Sequence, residues 1–115
     1  MTFTTVDALH GYVERLNQLQ AVIGQDDMAQ YANHLQKFFN EILWPLVVDF
    51  ELTKNQSQWR AAITEAHRHM RLLTVEVSFV RSARNSQTRQ QRIVQIEQRL
   101  NLLQGFTQAL INLCE

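Results

Sequence analysis

Arg81, Arg84, Arg89 and Arg92 crowd one short stretch of this 115-residue chain, around the polar run Asn85-Ser86-Gln87-Thr88. No Asp or Glu lies between Glu76 and Glu97. None of the four therefore has a carboxylate three or four positions away, the spacing at which helical neighbours pair. A guanidinium is always charged and offers a rigid fork of donors matched to carboxylates and phosphates. The chemistry open to such a cluster is binding. It needs anions from elsewhere in the molecule or from a partner.

Other reactive types are present but poorly arranged. His67 and His69 are two residues apart, so on a helix they point away from each other and cannot grip one ion. Glu65 and His69 have a ligating spacing, yet no second pair follows, and a carboxylate-bridged di-iron bundle wants two Glu-x-x-His motifs. Asp7-x-x-His10 is a chance-level match. Glu76, amid Leu73, Val75, Val77 and Phe79, reads as a residue on the polar side of its helix; burial would raise its pKa. Cys114 has no histidine beside it, and a lone cysteine allows no internal disulfide, which fits a reducing cytosol. No nucleophile elbow, phosphate-cradling glycine loop or carboxylate pair is visible. Neither an enzyme nor a metal or other cofactor is expected.

The net charge is zero, so the whole-molecule field attracts neither nucleic acid nor an anionic membrane. The charge is lopsided, however. Residues 1–56 hold seven acids and three bases, a net of −4, and residues 57–115 hold eight arginines and four acids, a net of +4. No aromatics alternate with the arginines to stack bases, and no zinc-finger or helix-turn-helix signature appears, so nucleic acid is not the expected partner. The longest apolar run, Ile42 to Val48, is far short of the ~20 residues of a membrane helix. The N-terminus lacks the basic start of a signal peptide, and a cytoplasmic protein is expected.

Apolar residues recur at three and four throughout, the helical period. A first helix is predicted from Thr4 or Thr5 as N-cap, with Leu9, Tyr12 or Val13, Leu16, Leu19 and Ile23 inward, ending at Gly24. A second opens at Asp26 or Asp27 with Met28, Tyr31, Leu35, Phe38, Ile42, Leu46 and Phe50 inward. Pro45 should kink or break it near Leu43-Trp44. A third, with Ser57 as N-cap, buries Trp59, Ile63, Ala66, Met70, Leu73, Val77 and Val80. A fourth, from Ser86 or Thr88, buries Ile93, Ile96, Leu100, Leu103, Thr107 and Leu110. Short turns between four helices predict one all-α domain over residues 1–115, an antiparallel up-down four-helix bundle.

That topology puts Asp26 and Asp27 at the same end as the four arginines, so either the aspartates answer them or an acidic partner does. Trp44 reads as packed on Trp59 or the fourth helix, or else as a partner anchor. Helices three and four carry a second apolar stripe, with Leu72, Val75 and Phe79 on one and Leu102, Phe106, Ala109 and Leu113 on the other. The kinked second helix is expected to cover it; left open, it would dock a partner, and Leu72, Val75 and Phe79 are then the candidate homodimer stripe.

The stretch Thr64-Glu65-Ala66-His67-Arg68-His69-Met70-Arg71-Leu72-Leu73, continuing through Val80-Arg81-Ser82-Ala83-Arg84-Asn85-Ser86 and Arg92 to Phe106, resembles the PatD family of cyanobacterial heterocyst frequency control proteins. The likeness lies in the C-terminal half of the chain. It implies a small cytoplasmic, non-enzymatic regulator of cell division and heterocyst differentiation, associated with the tubulin-like division protein FtsZ. An arginine-rich bundle end would complement an acidic FtsZ surface, which makes Arg81, Arg84, Arg89 and Arg92 the expected partner-binding patch. The alternatives are a small-ligand sensor with a pocket where the kink opens the bundle, and a nucleic-acid-associated adapter.

Overall fold

The computed structural model describes residues 2–115, and their regular structure is entirely helical. α1 (Thr5–Ala21) is followed by α2 (Met28–Phe38), a π-helical segment (Phe39–Leu43), α3 (Trp44–Val47), α4 (Gln56–Ser82) and α5 (Ser86–Cys114). With α2, the π segment and α3 running on as one helix, the chain is a four-helix bundle.

Local chemistry accounts for most of the helix ends. Thr4 caps α1: its hydroxyl accepts from the Asp7 N–H at 3.1 Å, and the Asp7 carboxylate accepts from the Thr4 N–H at 2.9 Å. Two orphan donors are satisfied reciprocally. α1 ends at Ala21, and the turn passes through Gly24 at φ +81°, where a side chain would be strained. The third long helix starts differently from expectation. Ser57 lies inside its first turn, and Asn55, left-handed at φ 66°, is the N-cap. The Gln56 side chain accepts from the Leu52 N–H and donates to the Phe50 carbonyl, closing the loop that a serine cap was expected to close.

Pro45 acts through the π segment. Proline has no N–H to bond the carbonyl four residues back, and its ring crowds that carbonyl. The chain widens by one residue instead, and the Trp44 N–H bonds to the Phe39 carbonyl five residues back. This extra residue re-phases the helix. The buried set is Met28, Ala32, Leu35, Phe39, Leu43 and Val47, whereas Ile42 is exposed and Tyr31, Phe38, Leu46 and Phe50 are half-buried. The expected stripe already fails at Tyr31, where Ala32 is buried instead, and the π turn carries the inward face on through Leu43 and Val47.

The other core stripes hold, except that Ile23 lies in the turn beyond α1 and is only half-buried. Every expected core residue of α4 and α5 is buried, as are Leu9, Tyr12, Leu16 and Leu19 of α1. Trp59 is fully buried and donates its indole N–H to the Val47 carbonyl at 3.0 Å. The buried Tyr12 hydroxyl donates to the Met70 sulfur, and burial pushes its phenol pKa far up. α4 and α5 meet in opposite sequence order: His69 faces Phe106, Glu76 faces Arg99, and Phe79 faces Arg92. α1 lies along α5, with Asn17 bonded to Gln104 and Gly24 to Arg89, and α2 reaches α4 where Gln36 bonds Thr74.

Candidate functional site

The four arginines converge where α4 ends and α5 begins. Arg81 sits in the last turn of α4, Arg84 in the three-residue connection, and Arg89 and Arg92 in the first turns of α5. Asn85 makes the reversal sharp. Its side-chain oxygen accepts from the N–H groups of Gln87 (2.8 Å) and Thr88 (3.2 Å), so α5 starts at once. No acidic residue occupies the first turn of α5, and Arg89 and Arg92 lie close to its positive dipole end. The arrangement raises the positive potential of this end of the bundle.

The aspartates expected to answer the arginines do not do so. Among the described residues, none of the four arginines lies within 4.0 Å of a carboxylate. Asp26 shares a shallow cleft of about 280 Å³ with Arg81 and Arg89 without pairing to either. Two arginines are held in other ways. Arg89 donates to the Gly24 carbonyl at 3.0 Å and ties the α1–α2 turn to α5. Arg92 lies over the Phe79 ring at 4.9 Å. Arg81 and Arg84 remain exposed, with no side-chain partner among the described residues. The expected patch thus divides into two structural arginines and two free ones.

The second apolar stripe is only partly covered: Phe106 and Leu113 are half-buried against the core, and the rest is open. Leu72, Val75, Phe79 and Leu102 are 36–48% exposed. Through the Arg92–Phe79 contact this stripe is continuous with the arginine end.

A partly buried polar cluster, not announced by the sequence, joins α4 to α5. Glu76 is not on the polar side of its helix: it is buried, and it accepts from Arg99 through both carboxylate oxygens, at 2.5 and 3.3 Å. His69, also buried, takes a further Arg99 donor on Nδ1 at 2.5 Å and stacks on Phe106. Its Nε2 faces Glu65 at 3.5 Å and Arg68 at 3.3 Å. A guanidinium bonded to Nδ1 requires that nitrogen to be unprotonated, which makes His69 the neutral Nε2–H tautomer. Burial first, then the Arg99 and Arg68 charges, hold its pKa below the ordinary imidazole value. The available signal was spacing: His69 and Glu76 are one heptad apart, each one residue before a core position. Folding α5 back along α4 brings Arg99 to them.

The remaining candidates are structural. His67 lies away from His69, stacked on Trp44 at 4.5 Å, so Trp44 packs on α4. Phe50, not Trp44, meets Trp59. Burial, with Glu115 nearby, pushes the Cys114 thiol up, away from a reactive thiolate. At the π segment, Tyr12, Phe39, Trp44 and Thr107 line a cavity of only about 10 Å³, room for one water at most. An open groove of about 400 Å³ lies instead between α1 and α2, lined by Arg15, Gln18, His34, Lys37, Phe38, Glu41 and Ile42. Arg15 is fixed there by the Gly11 carbonyl at 2.9 Å and the Phe38 ring at 4.0 Å.

Comparison with protein-family models, with curated proteins and with solved structures gives no match. The fold defines a four-helix bundle, and its most distinctive surface is an arginine end bordered by open apolar side chains.

Proposed function

We propose that this protein is a non-enzymatic binding module whose arginine end docks on an acidic protein surface. The observation that carries the reading is the state of Arg81 and Arg84: both are exposed beside Arg89 and Arg92 and hold no carboxylate within 4.0 Å among the described residues. Charge matching at such a site chiefly speeds association and sets orientation. Following the resemblance in its C-terminal half, the first partner to test is FtsZ, and the process is regulation of cell division and heterocyst differentiation in the cytoplasm.

Co-sedimentation with polymerising FtsZ at two salt concentrations tests this reading. Salt-sensitive co-pelleting is expected, because exposed charges are screened beyond roughly 10 Å at 0.1 M salt. A folded, helical protein that stays in the supernatant at low salt would remove FtsZ as the partner. Steeply salt-dependent binding to duplex DNA would favour the adapter reading instead. The α1–α2 groove favours a second reading, a small-ligand sensor for anions. A rise in Tm with inorganic phosphate or small carboxylates would support it.

A further inference from the structure

We infer that the outer face of the α4–α5 pair is an interface with a second copy of this chain, the two copies lying antiparallel. Three contacts line this side of the seam: Arg92 on Phe79, Arg99 on Glu76, and Phe106 on His69. Leu72 lies between His69 and Glu76 on α4, and Leu102 lies between Arg99 and Phe106 on α5, so the two exposed leucines share the face. Val75 and Phe79, 47% and 44% exposed, extend the apolar strip.

The centre of the face suits burial. Its charges are already neutralised within the chain, Glu76 by Arg99 and Glu65 by Arg68 at 2.8 Å. The size also suits. α4 and α5 have 27 and 29 residues. At 1.5 Å per residue and about 10 Å of width per helix, they present a face of roughly 800 Å², the share each partner buries in a standard interface.

Charge selects the occupant and its direction. The end holding Arg81, Arg84, Arg89 and Arg92 also holds Asp26 and Asp27, a net of +2. The opposite end, where α1 begins and α5 stops, holds Asp7, Asp49, Glu51 and Glu115 against Lys54 and Arg60, a net of −2. A second copy laid antiparallel puts each positive end beside a negative one. A parallel copy would set like charges together. An isologous pair of this kind closes on itself and leaves no open apolar edge.

Sedimentation equilibrium of the protein alone tests the pairing, independently of any acidic partner. The wild type is expected at twice its 13.5 kDa mass in the tens-of-micromolar range. A Leu72→Glu, Leu102→Glu variant, altered only at exposed positions, is expected to keep its helical circular dichroism and to dimerise at least tenfold more weakly. Adding salt should weaken the wild-type dimer. A wild type that stays monomeric, or a variant that dimerises as well as wild type, would overturn the interface. Salt that tightens the dimer would overturn the antiparallel arrangement. Either failure leaves docking by the arginine end untouched, and loss of partner binding leaves the dimer untouched.

Discussion

At the scale of single residues, the Arg99–Glu76–His69 cluster adds a polar link to the largely apolar α4–α5 seam. Removing one member of a buried ion pair strands the other, at a cost of about 3–5 kcal/mol. Arg99 keeps about a fifth of its side chain in solvent, so Arg99→Met should lower ΔG of unfolding by somewhat less than that, measured by urea titration. Replacing Glu76 and Arg99 together by Leu and Met should cost far less, because no charge is left stranded. His69 gives the same seam a pH dependence. Its pKa is depressed in the fold by burial and by the two guanidiniums. The unfolded chain thus takes up a proton near pH 6.5 that the folded chain resists. Stability from this group is complete above about pH 6.5 and is lost as pH falls below it. Tm measured from pH 7.5 to 5 should fall in the wild type. It should fall less in His69→Gln, whose amide can accept from Arg99 and donate to Glu65 without titrating.

At the scale of elements, the arginine site depends on an abrupt start to α5. Asn85 provides it by accepting from two orphan N–H groups. Asn85→Ala should cost about 1 kcal/mol, seen as a lower Tm with unchanged helix content at low temperature. The elements also show what the sequence made legible. Every residue predicted inward on α4 and α5 is buried, because uninterrupted helices keep one period from end to end, although Ile111, His69 and Glu76 are buried beside them. In the α2 stripe only Met28 and Leu35 were placed correctly. Within α2, Ala32 and Phe39 already take the core places expected of Tyr31 and Phe38, and past the π turn upstream of Pro45 Leu43 and Val47 replace Ile42 and Leu46. The arginine cluster was visible as a run without acids, but its division was not. That Arg89 binds the Gly24 carbonyl and Arg92 covers Phe79 follows from contacts between residues distant in sequence. Glu76 was misplaced for the same reason: its partner lies on the next helix.

At the scale of the molecule, zero net charge conceals an axial separation, with an arginine-rich end and an acidic end. Among the described residues, no helix is long and apolar enough to cross a membrane, so the open stripe along α4 and α5 is not a span. The central claim is that Arg81 and Arg84 carry docking, with Arg89 and Arg92 committed to the fold. The most direct test compares wild type with an Arg81→Glu, Arg84→Glu double variant in binding to polymerising FtsZ at low salt, with circular dichroism and Tm recorded in parallel. Binding at least tenfold weaker is expected, with helical circular dichroism unchanged, because neither side chain holds a partner within its own chain. Wild-type binding by the double variant would contradict it.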